Sequence, residues 1–342
     1  MANNQDKIHE KFPVKITPYL SKIIKHSIPI KKQFTLDINE LRDEGVNSPW
    51  DIKRKYGVTG LENISNNKAV IMPTTKCSAY CRHCIRKDRE SKDRDDMSLD
   101  DIIKSSEILA RNSSIKEVII TGGDPFIRPD LLLGLLEKLR KIEHIHSIRI
   151  GTRLTVVDPD ILSIDLLEKV ASYNTFGNPI EISVQYNHVD ELTRKSVSAL
   201  ERLHSCNLRV YNQSVLLKGI NDDAEILGNL YTNLLEMGVE MLYLYHCAPI
   251  KGVDHLRTSV SKGIEIKKDF TKMDISGRAI PKYIIVTSLG KLEPFVDCEI
   301  INKENQFLYL KTFYSQTEDL PKDVHSDLSG NLIVKYLDGV DD

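Results

Sequence analysis

The chain has 342 residues, which suits one large α/β unit or two smaller domains and a core that buries roughly three-quarters of the unfolded surface. A net charge of −2, sparse aromatics (6%) and basic residues that do not cluster on one predicted face give no electrostatic case for nucleic acid or an anionic membrane. No apolar run approaches the ~18 residues of a membrane span, the opening "MANNQDKIHEKF" lacks a secretory apolar segment, and six cysteines in so long a chain suit a reducing, cytoplasmic setting rather than a disulfide framework.

In chain order, residues 1–66 are polar, charged and irregular and read as an N-terminal extension, with "ELRDEGVNSPWDIKRKYG" as a short helix and a turn. From residue 68 the rhythm changes: "KAVIMPTT" is an apolar strand running into a cysteine-rich loop. "SLDDIIKSSEILAR" is a helix with Leu99, Ile102, Ile103, Leu109 and Ala110 on one face, opened by a capping box of Ser98 and Asp101. "EVIIT" reads as a buried strand ending at "GGDP", "PDLLLGLLEKLRK" as a second helix and "SIRIG" as a third strand. "DLLEKVASY", "IEISVQ", "DELTRKSVSALERL" and "LRVYNQSVLL" continue the alternation. "DDAEILGNLYTNLLEM" is a helix with Ile226, Leu227, Leu230, Leu234 and Leu235 on one face, and "MLYLYH" ends the series. Six such strands with helices between them predict parallel pairing through right-handed crossovers, in a doubly wound or a barrel-like sheet. Either architecture puts chemistry at the C-terminal strand ends. Each unusual motif is expected just after a strand: the cysteines, GGD, "QYNH", "NQS" and "YHCAP". The tail, with "KYIIVTSLGKLEPF", "FLYLKTFY" and "NLIVKYL", predicts a few extra β segments.

Cys77, Cys81 and Cys84 are spaced four and then three residues apart. Structural zinc takes four ligands, usually in two paired sets, and no second pair follows, since Cys206, Cys247 and Cys298 are isolated. A [4Fe–4S] cube on three thiolates would leave one iron for a small molecule, or for His83. A cluster, a zinc site and coincidence all stay open on this motif alone. The "TGGDP" at residues 121–125 lets backbone approach a ligand and offers a carboxylate, although GGD alone is more often a turn.

The stretches "CSAYCRHCIRK", "GGDP", "IRIGTR", "NQSVLLKGIND", "LYLYHC", "HLRTSVSKG" and "SGRAIPK" run in order over most of the chain. Together they resemble the lysine 2,3-aminomutase family of radical S-adenosylmethionine (SAM) enzymes. The resemblance implies an α/β fold: a partial (β/α)6 barrel over 67–250, an N-terminal helical extension over 1–66, and a C-terminal segment of β strands over 251–342 carrying a pyridoxal phosphate (PLP) lysine loop. It further implies an isomerase that moves an α-amino group to the β-carbon. Its cofactors would be a [4Fe–4S] cluster on Cys77, Cys81 and Cys84, SAM on the fourth iron, and PLP. An amino acid is the implied substrate and a flavodoxin- or ferredoxin-type protein the electron donor; a homo-oligomer is compatible with it, and no nucleic acid or membrane partner is expected. Gly122, Gly123 and Asp124 would line the methionyl end of SAM, Gln213 its ribose and His83 its adenine, while Gln185 stands where the family has a histidine. Lys291 would hold PLP, Tyr245 matches an active-site tyrosine, and Arg86 matches the clamp for the substrate carboxylate.

The sequence departs from the family at several of these places. The glycine run before the PLP lysine is reduced to Gly290, and the arginines for the PLP phosphate fall near Ile64 and at Lys68, which lacks a bidentate fork. The two aspartates that hold the distal ammonium of lysine map to Ala248 and Thr287. A distal ammonium without either anion is costly in a closed site, so free lysine is not the expected substrate. His246, Lys251, Asp254 and His255 share that loop, where a cation would receive an acidic side chain and an apolar wall a neutral one. The family's C-terminal zinc cysteines also have no counterpart here, so no structural zinc is expected and the spare cysteines read as packed thiols. The eroded lysine loop leaves an alternative: a radical SAM enzyme acting without PLP on another substrate, such as a peptidyl one.

Overall fold

The computed structural model describes residues 4–42, 45–46, 56–65, 67–87, 96–313 and 320–341. Its main sheet follows chain order from end to end: β1 (Leu61–Ser65), β2 (Lys68–Thr74), β3 (Glu117–Gly122), β4 (Ser147–Thr152), β5 (Ile180–Val184), β6 (Arg209–Leu216), β7 (Glu240–His246), β8 (Lys282–Thr287) and β9 (Gly290–Leu292). Strands β2 to β8 pair in parallel, whereas β1 and β9 close the two edges antiparallel. The alternation expected from the sequence is therefore a partial barrel, extended by one parallel strand from the tail.

The N-terminal stretch forms three short helices, α1 (Asn4–Lys11), α2 (Pro18–Ile23) and α3 (Ile28–Phe34), and a 3-10 turn at Ile38–Leu41. The rest of the helix and turn expected in "ELRDEGVNSPWDIKRKYG" lies mostly outside the described residues. The crossovers are α4 (Leu99–Arg111), α5 (Pro129–Leu139), α6 (Leu154–Val157) with α7 (Ile164–Ala171), α8 (Arg194–Ser205), α9 (Ala224–Glu236) and α10 (Val260–Phe270). The predicted capping box opens α4, with Ser98 Oγ accepting from Asp101 N at 3.1 Å and Asp101 Oδ2 accepting from Ser98 N at 2.9 Å. Its buried face is narrower than expected: Ile102, Ser105 and Leu109 are covered, while Leu99 is 72% and Ile103 44% exposed. In α9 the buried face is Leu227, Leu230, Tyr231 and Leu234, with Ile226 and Leu235 at its rim.

The two faces of the sheet differ. On β3, Val118 and Ile120 are buried while Glu117, Ile119 and Thr121 are half-buried, and β6 and the C-terminal part of β7, from Tyr243 to His246, alternate in the same way. A sheet covered on both faces would read as continuously apolar. Here one set of side chains packs under the helices and the other faces the barrel interior, so "EVIIT" is buried on one face only. That inner set includes Arg149, Glu181, Gln185, Tyr211, Gln213, Tyr243 and Tyr245. A second, antiparallel sheet is built from β10 (Cys298–Glu304), β11 (Phe307–Thr312), β12 (Val324–Ser326) and β13 (Leu332–Leu337), in the order β10-β11-β13-β12.

Candidate active site

The cysteine loop leaves the end of β2 and is held from three sides. The N-terminal segment grips it: Lys15 Nζ donates to Cys77 O at 2.7 Å, Tyr80 N to Lys15 O at 3.0 Å, and Arg82 N to Gln33 O at 2.8 Å. Beneath it lies a buried charge cluster, in which Glu40 accepts from Arg82 Nε at 2.9 Å and pairs with Lys87 Nζ at 2.9 Å. Lys87 also donates to Gly252 O at 2.7 Å and stands 4.6 Å from the Phe12 ring centre. Burial, only partly offset by Glu40, brings the Lys87 ammonium down to about 8.

From the third side comes the end of β3. Gly123 N donates to Thr74 O and Asp124 N to Lys76 O, each at 2.8 Å. Gly122 has φ +111°, and a Cβ on Gly123 would stand 2.0 Å from Lys76 O. The glycines thus let β3 approach the cysteine loop itself. Asp124 is buried, and its Oδ2 accepts from Thr152 Oγ1 at 2.8 Å and from Arg153 N at 2.9 Å, while Oδ1 accepts from Phe126 N at 3.2 Å. Both oxygens serve the protein, tying the ends of β3 and β4 together. Burial outweighs those donors and raises its carboxyl to about 6.

All six cysteines are thiols. Among the described residues no three His, Cys, Asp or Glu side chains gather tightly enough for one metal ion. A four-iron cube instead offers each thiolate its own iron and spreads the ligands wider. The donors around the loop suit such a thiolate set: Arg153 Nη1 donates to Cys81 Sγ at 2.8 Å, and Arg86 N to Cys84 Sγ at 3.4 Å. The remaining cysteines are packed: burial pushes the thiols of Cys247 and Cys298 up to about 12.

His83 and Gln185 come together, with the Gln185 amide 3.2 Å from His83 Nε2. Arg153 Nη1 lies 3.2 Å from the same nitrogen. Burial first, then Arg153 and Lys87, hold His83 far below its usual pKa, so the ring is neutral and Nε2 accepts. Its proton is then on Nδ1, a buried atom with no partner in the protein. Gln213 sits within β6 beside Tyr243 of β7 and donates to Ser183 Oγ. "NQS" therefore lies inside a strand, a correction to its expected place after one: the ladder continues to Leu216.

Lys291 is the middle residue of β9, paired with Val286 across a tight hairpin, rather than part of an open loop. Its Nζ lies 4.3 Å from the ring centre of Tyr243 and 5.2 Å from that of Tyr245. Burial, then Lys68 and Arg149, lower its ammonium to about 8. Burial also keeps the Tyr245 hydroxyl protonated. Nearby on the inner face, Arg149 joins Glu117 at 3.1 Å and Glu181 at 2.8 Å, and Glu117 takes Lys68 at 2.8 Å. Lys68 is thus already paired; the side chain of Ile64 lies outside the described residues.

Ala248 belongs to a small buried apolar cluster with Leu217, Ile220, Cys247, Ile250 and Val253, against which Ile85 of the cysteine loop packs. Thr287 is buried and occupied by its own hairpin, donating to Gly290 O at 3.1 Å. Two neighbouring basic groups, Arg257 and His246, are engaged elsewhere or neutral. Arg257 donates to Cys247 O at 3.1 Å and to Leu337 O at 2.5 Å, and Tyr283 OH lies 2.8 Å from Nδ1 of a buried, neutral His246. Arg86 is half-buried beside Cys84.

Sequence reasoning gave no role to Arg153, Gln33, Glu191, Tyr243 or the Glu40–Arg82–Lys87 cluster. "IRIGTR" did carry Arg153, and the alternation in "MLYLYH" puts Tyr243 on the face of Tyr245. Nothing local, however, links Gln33 or Glu40 to a loop forty residues on.

Comparison with known proteins agrees with this geometry. Residues 71–228 match the model of the radical SAM superfamily. The chain is 36% identical over 288 residues, 82% of its length and 76% of the relative's, to a protein of Aquifex aeolicus (strain VF5) provisionally named L-lysine 2,3-aminomutase. It is 32% identical to the L-lysine 2,3-aminomutase of Fusobacterium nucleatum, over 87% of this chain and 71% of that one. It is 30% identical to the glutamate 2,3-aminomutase of Clostridioides difficile (strain 630), over 81% and 63%. The crystal structure of a radical SAM methyltransferase from Sphaerobacter thermophilus shares the fold at a TM-score of 0.50 and 12% identity, over 67% of this chain and 69% of that one.

Proposed function

The chain belongs to the lysine 2,3-aminomutase family of radical SAM enzymes, a family of isomerases, and from that premise we propose that it moves the α-amino group of an amino acid with an uncharged side chain to the neighbouring β-carbon. The observation that carries the substrate class is Ala248 inside an apolar cluster with Leu217, Ile220, Ile250 and Val253. Glutamate would leave an anion, and lysine a cation, against that wall.

The bound cofactors supply the chemistry: the cluster and SAM a hydrogen-abstracting adenosyl radical, PLP an aldehyde for the amino group. Cys77, Cys81 and Cys84 would hold the cluster, and the thiolate donors around them fit it. Gly122 and Gly123 would offer backbone to SAM beside the loop, with His83, Gln185 and Gln213 along the inner face. Asp124 fixes the strand ends that carry this cradle. Lys291 would hold PLP: an amine half neutral near pH 8, laid over two tyrosine rings on the inner face, fits an aldehyde partner. Arg86 would clamp the substrate carboxylate, and Tyr245 would wall the site.

Lys68 favours the second reading, because its pairing with Glu117 leaves the PLP phosphate without a free fork. In that reading the enzyme works without PLP on another substrate. Reconstituted, reduced protein incubated with SAM and a panel of amino acids separates the two. A β-amino isomer of a neutral amino acid, with a pyridoxyl group trapped on Lys291 by borohydride, is expected. Formation of 5′-deoxyadenosine without any β-isomer and without the trapped label would establish the second reading.

A further inference from the structure

We infer that Arg153 sets the reduction potential of the cluster, acting through the sulfur of Cys81. This rests on the reading that Cys77, Cys81 and Cys84 carry a [4Fe–4S] cluster. Arg153 is 7% exposed and sits at the C-terminal end of β4, its backbone N–H held by Asp124. Nη1 donates to Cys81 Sγ at 2.8 Å and reaches His83 Nε2 at 3.2 Å. Nη2 donates to Gln33 Oε1 at 2.5 Å and to Glu191 Oε1 at 2.9 Å. The Phe34 ring centre lies 4.7 Å from the guanidinium carbon. Its partners are themselves fixed: Gln33 Nε2 donates to Glu191 Oε1 at 3.0 Å, and Glu191 Oε2 accepts from Asn187 N at 2.6 Å.

Only a planar fork can serve a sulfur on one nitrogen and a carboxylate on the other. One-electron reduction adds a negative charge to the cluster and its thiolates, and hydrogen bonds to cysteine sulfur favour the reduced state. In a buried site the cation acts with little solvent screening and is already in place before the electron arrives. Glu191 works in the opposite sense: its carboxylate cancels part of the guanidinium charge. Arg153 is thus a positioning and tuning residue with a signed counterpart.

The test is an anaerobic redox titration of the reconstituted protein, followed by EPR without SAM, alongside iron and sulfide analysis. Arg153→Met is expected to load the cluster and titrate at a more negative midpoint, with Arg153→Lys between it and the wild type. At the potential that half-reduces the wild-type cluster, the Arg153→Met signal should fall by about threefold or more. Glu191→Gln should move the midpoint the other way, to more positive potential. A fully loaded Arg153→Met at the wild-type midpoint overturns the inference. If Arg153→Met does not load, Glu191→Gln decides: a positive shift supports the inference, and an unmoved or negative midpoint overturns it. Wild-type protein that binds no iron and sulfide defeats the cluster reading itself, a separate outcome.

Discussion

Gly123 and Lys76 lie so close that a Cβ on the glycine would stand 2.0 Å from the lysine carbonyl oxygen and 2.6 Å from its carbonyl carbon. Both contacts are with backbone, so no flexible side chain can yield. Gly123→Ala must therefore push the cysteine loop away from β3, at a cost of about 1–3 kcal/mol for an overpacked site. Cys77 follows Lys76 directly, so the displacement falls on a proposed cluster ligand. The expected result is a variant with wild-type circular dichroism that loads less than half the wild-type iron and sulfide. Full loading would show that the loop tolerates the shift and that the glycine serves another purpose.

The depressed ammonium of Lys291 gives a pH signature. With a value of about 8, about nine-tenths of the amine is neutral at pH 9 and about one-tenth at pH 7. An ordinary lysine, titrating near 10.4, would be almost fully protonated over that range. Burial is the leading cause, so the effect needs the folded protein. Borohydride trapping of PLP on Lys291 should rise through a midpoint near pH 8 and vanish in Lys291→Ala. Replacing Tyr243 by Leu removes the polarisable ring but not the burial, and should leave the midpoint below that of a free lysine. A trapping midpoint above pH 10 would contradict the burial of this side chain.

The sequence made the barrel legible because period-2 and period-3.6 patterns alternate with little interruption from "KAVIMPTT" to "MLYLYH". Capping at Ser98 was readable for the same reason, since its two partners are three residues apart. The helix faces were read too widely: Leu99 and Ile103 are apolar yet face outward, and apolar identity alone does not set the edge of a stripe. Within the candidate site, motifs that are continuous in sequence were found and contacts across it were not. Arg153 meets Cys81, Gln33 and Glu191 only once the barrel closes. The Asp124 carboxylate reads as open to a ligand in the sequence because two of its three donors, Thr152 and Arg153, come from another strand end.

The cluster of Glu40, Arg82 and Lys87 is buried almost completely, at 0%, 1% and 2% exposure. Two cations share one carboxylate there, and Arg82 also donates to Pro13 O at 2.9 Å. Burial alone would raise the Glu40 carboxyl, but Arg82 and Lys87 outweigh it and lower it. Glu40→Gln keeps the shape and removes the only anion among the three. Breaking such a pair costs about 3–5 kcal/mol, because the remaining charge stays buried. The urea midpoint should fall accordingly. A second substitution, Lys87→Met, should recover part of the loss by removing the orphaned cation. A Glu40→Gln midpoint within error of the wild type would mean that water reaches the cluster.

Ala248 offers a direct test of the substrate class. The residue is 9% exposed and packed with Leu217, Ile220, Ile250 and Leu256, and an Asp there would place a carboxylate against hydrocarbon. Without a partner, an ionised carboxylate there costs several kcal/mol or takes up a proton instead, and either lowers the thermal midpoint of Ala248→Asp. A ligand that binds only the folded state raises stability by about 1.4 kcal/mol at ten times its dissociation constant. With SAM and PLP present, the wild type should gain thermal stability from a neutral amino acid and little from lysine or glutamate. Ala248→Asp should lose the response to the neutral amino acid and regain part of its own loss in the presence of lysine, whose ammonium pairs with the new anion. Should Ala248→Asp keep the wild-type response to neutral amino acids, Ala248 lies outside the substrate site and the uncharged class loses its support.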